Sequence, residues 1–171
     1  FQKALDAAAE QRLNEVHVPE GRYAFVGTVR IPKEVTLRGT FDYAPSHAGL
    51  RDNSDEKPEY GSVLLVKGQA GTEEGAAFLT LQTNSVVQGL CIFYPDQKTE
   101  TPEPVKYPYT VAMRGNNPAL IDCELLNPYN GIDASQNQRA LIRNVHGQPL
   151  HIGLYVNDIY DIGRVENVHW N

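Results

Sequence analysis

The chain has 171 residues, 41% of them apolar and 21% charged, with a formal net charge of −6, and is long enough for one buried core but tight for two. Its acidic balance excludes a general electrostatic affinity for nucleic acid, which needs clustered Lys and Arg, and no run approaches the roughly 18 apolar residues of a membrane span. Cys91 and Cys123 make neither a disulfide framework nor a metal-spaced cluster; they read as small buried residues, a bridge between them being the other reading.

Phe1, Ala4, Leu5 and Ala8 recur at i, i+3, i+4 and i+7 within an Ala-rich stretch, which predicts a helix over residues 1–10. After Asn14 the period becomes two. Val16 and Val18 flank His17, Pro19-Glu20-Gly21 supplies a turn, and Tyr23-Ala24-Phe25-Val26 follows as a strand. Val29–Ile31 and Val35–Gly39 repeat the scheme around Pro32-Lys33-Glu34. Two polar, Pro-containing stretches, 41–60 and 95–108, read as loop excursions from a regular scaffold.

The scaffold is an internal repeat. Val86-Val87-Gln88-Gly89, Leu120-Ile121-Asp122-Cys123, Leu141-Ile142-Arg143-Asn144 and Arg164-Val165-Glu166-Asn167 superimpose, with Val87, Ile121, Ile142 and Val165 spaced by 34, 21 and 23 residues. Removing the 14-residue excursion 95–108 shortens the first interval to 20. Leu79, Met113, Ala134 and Val156 form a second column eight or nine residues ahead of the first. Short strands repeating at about 22 residues predict an all-β parallel solenoid, each coil about 4.8 Å above the last.

The run Phe1-Gln2-Lys3-Ala4-Leu5-Asp6-Ala7-Ala8-Ala9, then Val16-His17-Val18-Pro19-Glu20-Gly21-Arg22-Tyr23 and Val35-Thr36-Leu37-Arg38-Gly39, resembles the N-terminal region of the pectate-lyase-like superfamily. The resemblance covers about the first 40 residues. It implies a right-handed parallel β-helix whose N-terminal helix caps the open end of the first coil. It also implies a protein of the secreted, periplasmic or cell-surface space that acts on a polysaccharide, as pectate lyases, polygalacturonases, rhamnogalacturonases and tailspike depolymerases do. A fold of this kind specifies architecture better than reaction.

If the second column points inward, period-two alternation turns Phe78, Ala112, Asp133 and Tyr155 outward in one row and Thr80, Arg114, Ser135 and Asn157 in another. Arg114, Asp133, Ser135, Tyr155 and Asn157 then share one face. Arg114 suits a uronate carboxylate, Tyr155 a pyranose ring, and Asp133 an acid or base role; the bland alternative is a solvated outer face. Tyr107, Tyr109 and Tyr129 are further candidates for the groove wall. A glycosidase needs two carboxyls about 5–9.5 Å apart, for which Asp133 with Asp158, or Asp158 with Asp161, are the pairs to test.

The polygalacturonase set N-T-D, D-D, G-H-G and R-I-K has no counterpart, nor do the clustered aspartates of a calcium-dependent lyase. No cofactor is expected, calcium being the ion a lyase would need. His146 and His169 are equivalent in the repeat, but no third ligand stands at a recognisable spacing, so stacking accounts for them and no metal site is expected. Asn144 and Asn167 read as a structural amide ladder.

Three readings follow. One is a glycoside hydrolase or polysaccharide lyase on a plant or microbial glycan. The alternative is a non-catalytic glycan-binding or scaffold module. The third places the catalytic residues beyond Asn171, because the fourth repeat ends without a polar cap and the single domain reads as the N-terminal part of a longer solenoid, open to association through that end.

Overall fold

The computed structural model describes residues 1–46, 60–98 and 103–171. The chain opens with helix α1 (Gln2–Glu10), followed by β1 (Glu15–His17), β2 (Gly21–Phe25), β3 (Val29–Ile31) and β4 (Thr36–Arg38). Then come β5 (Ser62–Val66), β6 (Leu79–Leu81), β7 (Val86–Gln88), β8 (Cys91–Phe93), β9 (Tyr109–Met113) and β10 (Gly115–Asn116). Five longer strands complete the described chain: β11 (Ala119–Leu126), β12 (Asn130–Gln138), β13 (Leu141–Gly147), β14 (Ile152–Tyr160) and β15 (Arg164–Trp170). Of the predicted excursions, residues 47–59 and 99–102 lie outside the described residues.

Among the described residues the protein is all-β apart from α1, and every strand pairing is parallel. A nine-stranded sheet holds β1, β2, β4, β5, β7, β8, β11, β13 and β15, and a six-stranded sheet holds the rest. From β11 onward the strands alternate between the sheets, and the main core lies between them, with Leu120 and Leu125 of one sheet and Ile132 and Ala134 of the other buried together. The ladder Thr36–Val86–Ala119–Leu141–Arg164 advances by 50, 33, 22 and 23 residues, the two long steps containing the two excursions.

The register corrects both predicted columns. Val87 pairs with Leu120, not Ile121, and Leu120 with Ile142. A one-residue slip exchanges faces, and it passes unnoticed because β11 is buried along its whole length. In the other column, Leu79 pairs with Val111 and Leu81 with Met113. That two-residue shift preserves the inward face, but it makes Thr80 the neighbour of Ala112. Phe78 is not outward: it is buried in the core, edge-on to Phe25 at 5.3 Å.

The long strand β11 serves two narrower ladders, Ala119–Ile121 against β7 and Glu124–Leu126 against β8. It turns the corner at Asp122, whose φ is +54°. Gly89, Asn144 and Asn167 take the same left-handed conformation at φ +69°, +51° and +51°, a region tolerated by Gly, Asn and Asp. Their side chains join across the strands: Gln88 Nε2 donates to Asp122 Oδ2 at 3.0 Å, Asn144 Nδ2 to Asp122 Oδ1 at 2.8 Å, and Asn167 Nδ2 to Asn144 Oδ1 at 2.9 Å. The predicted amide ladder is present, extended by an aspartate.

Helix α1 buries Leu5 and Ala8 and leaves Ala4 exposed, a narrower face than the sequence predicts. Gln2 accepts from Arg30 N at 2.9 Å and donates to Arg30 O at 3.1 Å, pairing backbone groups at the edge of β3 that would otherwise face water.

Candidate functional site

Strands β9, β12 and β14 lie side by side, with Ala112, Asp133 and Tyr155 in one lateral row and Ser135 beside Asn157 in another. Arg114, just after β9, reaches across this surface. Its Nη2 donates to Asp133 Oδ2, and its Nη1 donates to the carbonyls of Met113, Asp133 and Ser135 at 3.0, 3.2 and 3.1 Å. The other Asp133 oxygen accepts from Ser135 N at 3.1 Å. Both carboxylate oxygens are therefore engaged, and the guanidinium fork is spent on the protein. Ser135 is nearly buried, whereas Tyr155 and Asn157 are exposed.

The tyrosines divide. The Tyr109 and Tyr155 rings lie 6.5 Å apart, tilted by 37°. Burial pushes the Tyr109 phenol up from its ordinary value, and negative charge at Asp133, and more weakly at Glu73, adds to the effect. Tyr109 thus stands in the field of two carboxyl groups. Tyr107 belongs to the core at 1% exposure, edge-on to Tyr94 at 4.9 Å, so its ring offers no surface to a ligand.

Tyr129 leads to a cluster the sequence did not single out. Its ring stacks on His151 at 4.7 Å and its hydroxyl donates to Glu73 Oε1 at 3.4 Å. Glu73 Oε1 also pairs with Lys106 Nζ at 2.8 Å, and its Oε2 lies 3.9 Å from His151 Nδ1, which shares a 3.0 Å hydrogen bond with Asn130 Oδ1. The Lys106 ammonium, through this hydrogen bond first, holds the Glu73 carboxyl below its usual range, and Glu73 raises Lys106 in turn. Glu73 and Lys106 sit in or beside irregular segments with no repeat to align them, so no periodic signal marks them.

Asp158 and Asp161 line different hollows. Asp158 lines a hollow with Asn116, Gln136, Gln138 and Tyr160, while Asp161 lines another with Asn117 and Leu141 and accepts from Arg139 Nε at 2.9 Å. Nor is Asp158 the lateral neighbour of Asp133; Tyr155 is. Among the described residues no group of three or more His, Cys, Asp or Glu is gathered tightly enough to hold a metal ion.

No family model matches the chain, and no curated protein or solved structure resembles it significantly.

Proposed function

We propose that the chain is a right-handed parallel β-helix with coils of about 22 residues, closed at its start by α1, that takes a polysaccharide along the face of β9, β12 and β14. The observation that carries this reading is the position of Tyr109. It lies 6.5 Å from the exposed ring of Tyr155, the lateral neighbour of Asp133, and stands in the field of both the Asp133 and the Glu73 carboxyls. Aromatic faces flanked by carboxyls and cations suit a sugar chain, which offers apolar ring faces and a rim of hydroxyl or carboxylate groups.

In this reading Tyr155 and Tyr109 carry sugar rings, Asn157 bonds hydroxyls, and the reaction is glycoside hydrolysis or uronate elimination in a secreted or cell-surface setting. Asp133 and Glu73 are the carboxyls to test, in place of the Asp158–Asp161 pair. Incubating the protein with neutral and uronate-containing polysaccharides, and following reducing ends and unsaturated uronate separately, distinguishes hydrolase from lyase. Activity lost in Glu73→Gln or Asp133→Asn, with the fold retained, supports the enzyme; activity kept in both variants removes the pair.

The saturation of Asp133 and Arg114 by protein partners favours a second reading, a module that binds glycan without turnover. It predicts saturable binding that falls in Tyr155→Ala, and no product. Association through the exposed Val156 and Val165 would extend the binding surface.

A further inference from the structure

We propose that His146 and His169 form a binding site for one divalent transition-metal cation of the zinc, copper and nickel class, on the nine-stranded sheet and away from the polysaccharide face. The corrected register is the starting point. Glu124 of β11, His146 of β13 and His169 of β15 are successive lateral partners, so one carboxylate and two imidazoles occupy the same position on three adjacent strands. Aligning Ile121 with Ile142 would put Leu125 opposite His146 and hide the carboxylate.

The two rings lie with centroids 5.9 Å apart and planes at 67°. A zinc–nitrogen bond of about 2.0–2.1 Å puts a ring centroid about 3.2 Å from the metal. Two rings at a tetrahedral angle are then about 5.2 Å apart, and somewhat more at a wider angle. The observed separation needs only a small adjustment of the exposed His169 and the partly buried His146. Neither imidazole makes a hydrogen bond or ion pair among the described residues, in contrast to His151, which Asn130 and Tyr129 hold.

The surroundings favour a cation. Glu124, Gln148 and Asn171 line the same hollow as both histidines, and Gln148 Oε1 is a buried acceptor without a partner. Among the described residues no third His, Cys, Asp or Glu converges with the pair; water completes the coordination, and Glu124 contributes as a neighbouring negative charge. Imidazole suits zinc, copper and nickel better than it suits calcium or magnesium.

Isothermal titration of the whole chain with zinc chloride tests the site. The expected result is saturable binding of one zinc per chain, weakened about tenfold or more in each of His146→Ala and His169→Ala. His17→Ala and His151→Ala should leave it unchanged, and His169→Gln, with thermal melts on every variant, separates lost ligation from lost folding. Absence of saturable binding by the unsubstituted chain overturns the proposal, as does unchanged affinity in His169→Ala or loss in His151→Ala. Half a zinc per chain with dimers in sedimentation would mean a metal bridging two molecules, which also overturns it.

Discussion

Arg114 and Asp133 hold each other across adjacent strands of the six-stranded sheet, the guanidinium donating at once to the Asp133 carboxylate and to three backbone carbonyls. With side-chain exposures of 34% and 14%, the pair is neither a freely solvated surface contact nor a fully buried one. Removing one partner of a buried pair costs about 3–5 kcal/mol, and exposed pairs contribute about 0–1. Arg114→Met should therefore destabilise by about 1–3 kcal/mol in urea unfolding. Arg114→Lys keeps the charge without the planar fork and should fall in between. A loss below about 0.5 kcal/mol in Arg114→Met would show that the clamp contributes little.

The Asp122–Asn144–Asn167 ladder combines two effects that substitution can separate. Asn144→Ala removes both side-chain hydrogen bonds and places a β-carbon residue without a local polar partner at φ +51°. At about 1 kcal/mol for the hydrogen bonding and about 1–2 for the left-handed backbone, the loss should reach about 2–3 kcal/mol. Asn144→Gly relieves the backbone cost and should recover roughly half of it. Equal losses in the two variants would assign the whole effect to the side chain.

The same corner explains what was legible in the sequence. The helix, the recurrence of short parallel strands and the Asn144–Asn167 equivalence follow from periodicity, because equivalent positions on successive strands of one sheet meet the same neighbours. Register within β11 does not, since Ala119–Leu126 is buried on both faces and loses the alternation that would fix it. The better signal was the left-handed position, where Gly89, Asp122, Asn144 and Asn167 align by residue type. At the candidate site, Asp133, Arg114 and Tyr155 were found because they lie on regular strands. Glu73 was missed because its partners Lys106, Tyr129 and His151 converge on it through contacts that no period records.

Glu73 makes a prediction about pH. Lys106 lowers its carboxyl below the ordinary value of 4.5 in the folded protein. A depressed folded value means a contribution to stability that is present above the unfolded value and lost as pH falls through the folded one. Carbon-detected titration of the Glu73 carboxyl should give a midpoint below that of a solvated glutamate, and Lys106→Met should raise it. The Lys106→Met protein should also lose less stability on acidification below about pH 4.5 than the unsubstituted chain. A midpoint that does not move in Lys106→Met would leave the depression without its principal cause.

Both thiols should be silent in the folded protein. Cys91 and Cys123 are free and fully buried, and they cannot face each other, because the lateral partner of Cys91 is Glu124. Burial pushes the Cys123 thiol up to about 12 and Cys91 well above its ordinary value, with Glu124 adding to the second shift. The thiolate is the reactive species, so burial suppresses both access and ionisation. Alkylation at neutral pH should be slow for both residues, follow the unfolding equilibrium as urea is added, and proceed at the rate of a free thiol once the chain is unfolded. Rapid labelling of Cys91 without urea would locate a local opening between β5 and β11, the strands that flank β8. Labelling of Cys123 at the same rate would extend that opening into the main core, where Cys123 packs among the residues the two sheets share.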